Sequence, residues 1–302
     1  AALLFSVVIT GSPLAVILYS AAPLPIFIAA LGWNHRAGLA AIVAGGLAVA
    51  VALTPSAGLA FAIIIALPAW WIAYLALLAR SDGQGVTEWY PLGHLMVWIA
   101  GTAALATLAS AMAMTTDYEA YRTVIARIIE NLLNEMVRSR LVTLSPDVRL
   151  PELALSLAPA VPFGIGASFV TTIAINLWLS AKAVQVSGRL PRPWPFIPST
   201  SLPRPALVLL TLSLLVAALD GFVGVAGAAL AGALLATFMF SGLATLHDLS
   251  RGKSWRTPLL ISVYVALIVM QAIFTPLLAV VGIVDSLLGL RRRAAPPPPP
   301  TA

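Results

Sequence analysis

Three histidines, eleven carboxylates and no cysteine are the imidazole, carboxylate and thiol groups that this 302-residue chain offers for acid–base, metal-binding and nucleophilic chemistry. Without cysteine there is no thiolate nucleophile, no thiolate metal site and no disulfide framework. His35, His94 and His247 are scattered, and no i,i+4 pair presents two imidazoles to zinc on one helix face. The glycine-rich stretch from Gly221 to Gly227 lacks the lysine of a phosphate-cradling loop. Nothing in the spacing favours a Ser/His/Asp arrangement. The expectation is no catalytic residue, no metal, no cofactor, and so no enzyme.

A second set of polar residues sits among apolar ones, where polar groups are costly. Thr172, Asn176 and Ser180 recur every four residues, on one face of a helix, with Lys182 just beyond. The Asn176 amide offers both a donor and an acceptor, for a polar solute or for clamping a neighbouring helix. Pro23 and Pro25, two residues apart, predict a bent or partly unwound segment, because proline lacks the N–H and clashes with the preceding turn. Freed carbonyls in a membrane must face protein or water, so the break is either a pocket wall or a packed kink. Trp33, or Trp178, offers an indole to cover an apolar part of a ligand. The candidate ligand-binding residues are therefore Pro23, Pro25, Trp33, Thr172, Asn176 and Ser180. Asp220 and Asp285 fall near the ends of apolar stretches, where interfacial solvation is expected, and Asp285 lies about two turns from Arg291, Arg292 and Arg293.

The elements that must position these groups follow from composition. Hydrophobic residues make up 60% of the chain and charged ones 9%, against roughly 25% charged in an average soluble domain. Twenty-eight charges cannot cover a soluble particle of 31.5 kDa. A soluble enzyme, a disordered chain and a nucleic-acid binder are excluded, and membrane lipid is the surrounding medium. The net charge of +6 resides in short loops between apolar runs, the pattern of a topology signal. Apolar stretches run from Leu14 to Trp33, Gly38 to Thr54, Ala57 to Leu78, Trp89 to Met114, Phe163 to Val186, Ala206 to Leu219, Val225 to Leu246 and Pro258 to Leu290. The last is expected to break at Thr275-Pro276. Ala1 to Thr10 covers about half a bilayer at roughly 1.5 Å per residue, so it reads as a half-helix or as part of a longer segment, ended by Gly11-Ser12-Pro13. The fold class is an all-α polytopic bundle of eight to ten membrane-embedded helices, covering residues 1–293, with a proline-rich tail at 294–302.

The 115–150 segment differs from the rest. Tyr118, Tyr121, Ile125, Ile128, Leu132 and Met136 recur at three or four residues among balanced charges, one face of an amphipathic helix. It is expected outside the hydrocarbon, with Ile125, Ile128 and Leu132 facing the protein. Small residues form two stripes, Gly224, Ala228, Gly232 and Ala236, and Ala40, Ala44, Ala48 and Ala52. Both are expected to pack within the chain. The loops at 33–37, 80–89, 187–205 and 247–257 carry most Lys/Arg and are expected in the cytoplasm, opposite 11–13, 54–57, 115–158 and 220–224. Pro276 leaves open whether Arg291, Arg292 and Arg293 join the basic side.

Gly11-Ser12-Pro13-Leu14-Ala15-Val16, Ala22-Pro23-Leu24-Pro25, Pro68-Ala69-Trp70-Trp71 and Glu88-Trp89-Tyr90-Pro91 resemble the YybS-like bacterial membrane proteins, a domain of unknown function. So do Asn176-Leu177-Trp178-Leu179, Ser187-Gly188-Arg189-Leu190, Arg192-Pro193-Trp194-Pro195 and Asp285 before a basic cluster. The resemblance implies a multi-pass protein of the bacterial cytoplasmic membrane, distantly similar in layout to the solute-capturing subunits of energy-coupling-factor transporters. It brings no established catalytic or ligand residue. Two functions fit: a small-solute carrier or solute-capturing subunit dependent on partner ATPases, and a structural or assembly subunit with protein partners in the membrane.

Overall fold

The computed structural model describes residues 1–7, 13–81, 87–143, 145 and 147–294. The Gly11-Ser12 break and the proline tail from 295 onward lie outside them. Helix α1 (Ala2–Ser6) is followed by α2 (Pro13–Ser20) and α3 (Leu24–Gly32), one membrane-length run interrupted at Ala21–Pro23 as the prolines predict. Asn34 caps α4 (His35–Ala52) by accepting from the Ala37 N–H at 2.9 Å. Thr54 does the same for α5 (Pro55–Ala60), with Pro55 in the first turn. A π-helical turn over Phe61–Ala66 joins α5 to α6 (Leu67–Ala76). The wide turn ends beside Pro68, whose ring would otherwise press on a carbonyl four residues back.

A two-stranded antiparallel ladder, β1 (Ala79–Ser81) with β2 (Thr87–Trp89), closes the polar loop and leads into α7 (Leu92–Met114). Asp117 caps α8 (Tyr118–Arg138) through the Glu119 and Ala120 amides. Then follow α9 (Leu150–Leu157), α10 (Val161–Val186), α11 (Pro205–Ala217), α12 (Gly221–Leu249), α13 (Arg256–Val269), α14 (Gln271–Leu288) and α15 (Leu290–Ala294). Among the described residues seven helical runs are long and apolar enough to cross a membrane, and two shorter apolar helices, α11 and α13, accompany them. An all-α membrane bundle is the architecture.

The core is organised around α12, the most buried helix. Its stripe of Gly224, Ala228, Gly232 and Ala236 is buried as expected. A Cβ on Gly232 would overlap the Phe163 carbonyl of α10, and one on Gly242 would overlap the Leu278 carbonyl of α14. Small residues let these backbones touch, which is where dispersion drives association in lipid.

Four expectations are corrected. The stripe of Ala40, Ala44, Ala48 and Ala52 faces outward; α4 packs instead through Gly38, Gly45 and Val49, because glycine admits the Trp70 and Phe61 rings where alanine would not. In α8 only the N-terminal half docks: Tyr121, Ile125 and Ala126 are buried with Ala111, Ala154, Ala158 and Val225, whereas Ile128 is 47% and Leu132 61% exposed. The helix continues beyond its contact surface, so an unbroken apolar period does not mean unbroken burial. The final apolar stretch breaks at Met270, not at Thr275-Pro276. Pro276 sits in the second turn of α14 and costs a single bond, to the carbonyl of Ala272. Asp285 is not solvated but 6% exposed and ion-paired to Arg291 at 2.6 Å.

Candidate functional site

The break in the first span can be followed bond by bond. Pro23 and Pro25 have no N–H, so the carbonyls of Tyr19 and Ala21 lose their helical donors. Tighter turns recapture both: Ala22 N–H donates to Tyr19 O at 2.9 Å and Leu24 N–H to Ala21 O at 3.1 Å. With the Leu24 amide diverted, the Ser20 carbonyl is left open in an apolar interior. Asn176 of α10 fills it, its Nδ2 donating to Ser20 O at 2.8 Å and to Thr172 O, one turn back on its own helix, at 2.8 Å. One turn on, the Ser180 hydroxyl donates to Leu24 O at 3.1 Å.

The structure thus brings together Pro23, Pro25, Asn176 and Ser180, with Thr172 contributing its carbonyl. Asn176 is 5% exposed and Ser180 fully buried. Both amide hydrogens of Asn176 are spent, while its buried Oδ1 has no donor among the described residues. That unpaired acceptor is a chemically open atom beside the break. Trp33 stands apart, at the end of α3 and 60% exposed; Trp178 faces outward at 45%. Neither covers the Asn176 amide.

A polar assembly at the other end of these helices escaped the sequence reading. Arg192 donates to the Ala76 carbonyl at 3.0 Å, tying the 190–204 loop to the end of α6. Burial pulls its guanidinium below the ordinary value, without removing a charge that arginine keeps in proteins. The Arg291 side chain makes two bonds to Asp285, its backbone N–H adds a third to Oδ1 at 3.1 Å, and the guanidinium donates at 2.8 Å to both Pro198 O and Thr200 O. On a continuous helix, residues six apart point in different directions. Gly289, at φ 64°, ends α14 in the left-handed conformation and swings Arg291 back over Asp285. That glycine was the available signal. These bonds, with Trp70 Nε1 on the His35 carbonyl at 2.9 Å and the Trp71–Trp98 ring contact, gather the 33–37, 76–81, 87–93, 187–205 and 285–293 segments at one end. Arg251 over the Phe196 ring adds 247–257. Twelve of the 17 Lys/Arg fall at this end, including the C-terminal three, because α14 runs alongside α12 in the same direction.

A family model described as "Predicted membrane protein (DUF2232)" matches residues 1–286, nearly the whole chain. The chain belongs to that family. The match agrees with the membrane bundle and with the resemblance carried by the proline and tryptophan motifs, and it specifies no activity. Comparison with curated proteins and with solved structures returned no match. The layout likeness to energy-coupling-factor subunits is not shown by any of the three. Among the described residues no group of three or more His, Asp or Glu side chains is arranged to hold a metal ion.

Proposed function

We propose that this protein is a non-enzymatic small-solute carrier or solute-capturing subunit of the bacterial cytoplasmic membrane, with the Ala21–Pro23 break and Asn176 as its binding locus. The observation that carries this reading is the buried, unpaired Asn176 Oδ1 beside interrupted backbone. An unsatisfied buried acceptor costs about 1–3 kcal/mol, a cost that a ligand N–H or O–H would relieve. Broken helices at mid-span are a recurrent way of building polar sites in transporters. The Asn176 amide and the Ser20 carbonyl are both uncharged, which suits a neutral polar solute. Without a nucleotide loop of its own, the protein would depend on partner ATPases for energy. The basic end faces the cytoplasm.

A second reading, a structural or assembly subunit, is favoured by the exposed apolar run Ile128, Leu132 and Met136 on α8. One experiment separates the two. The purified protein in detergent is unfolded thermally with a panel of neutral amino acids, nucleosides, sugars and vitamins. At least one class raises the wild-type Tm, and Asn176→Leu, folded but slightly less stable, loses that increment. No increment with any class, or an equal one in the variant, puts the assembly reading first.

A further inference from the structure

At the basic end a groove of about 180 Å³ opens between the last turns of α3 and α10. Its floor is apolar, formed by Ile28, Gly32, Ala183 and Val184, and its rim carries Trp33, Ser187 and Arg189. This is small beside the roughly 300–1,000 Å³ of an ordinary solute pocket. It is on the scale of a phosphate with a few attached carbons rather than of a whole solute.

The rim is shaped by the end of α10. Gly188, at φ 70°, adopts the left-handed conformation and its N–H returns to Gln185 O at 3.0 Å, while the Arg189 N–H returns to Val184 O at 3.1 Å. This glycine-terminated helix end reverses the chain and sends the Arg189 side chain back across the groove. Its guanidinium carbon lies 4.6 Å from the centre of the Trp33 ring. Stacking occupies the face of a guanidinium and leaves its in-plane N–H donors free. Among the described residues no carboxylate pairs with Arg189. An oriented cation with open donors therefore stands over an apolar floor, at the end of the bundle that carries most of the basic residues.

We propose that this groove binds an anionic phospholipid, its phosphate held by the Arg189 guanidinium and its glycerol and upper acyl carbons laid along Ile28, Ala183 and Val184. Arginine suits phosphate because its fork presents two parallel donors to two oxygens. Basic pockets between membrane helices on the cytoplasmic side are a known way of recognising such headgroups. The site is separate from Asn176 and does not rest on the solute-binding reading.

The test uses the full chain, purified and delipidated in detergent, with lipid-to-protein binding followed by native mass spectrometry and by Tm. Phosphatidylglycerol is expected to raise the wild-type Tm by roughly 5 °C near saturation, and phosphatidylcholine to do little. Arg189→Gln should reduce retained phosphatidylglycerol about tenfold, the loss of one charge-assisted contact of ~1.4 kcal/mol. Arg189→Lys, which keeps the charge but not the fork, should fall between. Trp33→Leu, which removes the stacking platform and leaves the fold's core untouched, should also weaken retention. Equal effects of the two lipids, or unchanged retention in Arg189→Gln, overturn the proposal. So does full stabilisation by glycerol 3-phosphate alone, which would assign the groove to a soluble phosphate.

Discussion

The two buried polar groups that matter most here behave differently because one is neutral and the other is charged. Asn176 completes a backbone that proline left incomplete, and an interhelical bond of this kind averages about 0.6 kcal/mol in membranes. Asp285 and Arg291 are a charge pair shielded from solvent, with Arg291 also holding the Pro198 and Thr200 carbonyls. Breaking a buried pair by removing one partner costs about 3–5 kcal/mol, chiefly because the survivor is left unpaired. Arg291→Gln strands the carboxylate and releases the loop, so it should be the more destabilising variant. Asp285→Asn leaves Arg291 its two loop carbonyls and should cost less. The double variant should recover part of the Arg291→Gln loss, which a double-mutant cycle from denaturant titration in detergent would measure. Additive effects would show that the pair is not coupled.

Helices in this protein are held by contact between backbones as much as by side chains. Gly242 on α12 and Gly282 on α14 stand opposite one another, and a Cβ on either would overlap a carbonyl of the partner, Leu278 or Phe238. Gly101 on α7 has nothing within 4 Å of the same position. Gly242→Ala should therefore destabilise by about 1–3 kcal/mol through overpacking. Gly101→Ala should be neutral or stabilising by up to about 1 kcal/mol, from helix propensity alone. Unfolding midpoints of the two variants in the same detergent decide it; equal midpoints would remove close backbone approach as the reason for the α12–α14 contact. The same contrast explains α4, where alanines repeat every four residues on the outside while glycines make the contact.

For the whole molecule, the ends of the bundle differ in charge and in construction. One end is tied together by Arg192, Arg291 and a belt of Trp70, Trp71 and Trp98; the other carries α8 and the cluster of Tyr118, Tyr121 and Phe222. The absence of native cysteine makes the arrangement directly testable. Lys253→Cys and Arg293→Cys should react with an impermeant maleimide from the same face of the membrane, and Asn131→Cys only from the opposite one. Reaction of Asn131→Cys and Lys253→Cys from one face would overturn the alternation of the spans. Reaction of Arg293→Cys from the face of Asn131→Cys would mean that α13 and α14 do not reverse at Met270.

Composition and period alone determined that this is an all-α membrane bundle, that its first span is broken near Pro23, and that α8 is amphipathic. These are local properties: transfer from water to lipid is settled residue by residue, and proline removes its hydrogen bond wherever it sits. The four-residue recurrence of Thr172, Asn176 and Ser180 likewise marked one face of one helix. Which backbone that face would meet was settled only by tertiary structure, because the Ser20 and Leu24 carbonyls lie 156 residues away in sequence. Tertiary structure also decided which of two similar small-residue stripes is buried and where the apolar face of α8 stops being covered. A stripe of small residues permits close approach without naming the helix that approaches, so a pattern of alanine and glycine carries no instruction about its partner. The reversal at Met270 belongs with these: it places Arg291 beside the Pro198 and Thr200 carbonyls, a long-range match of donor to acceptor that no local pattern encodes.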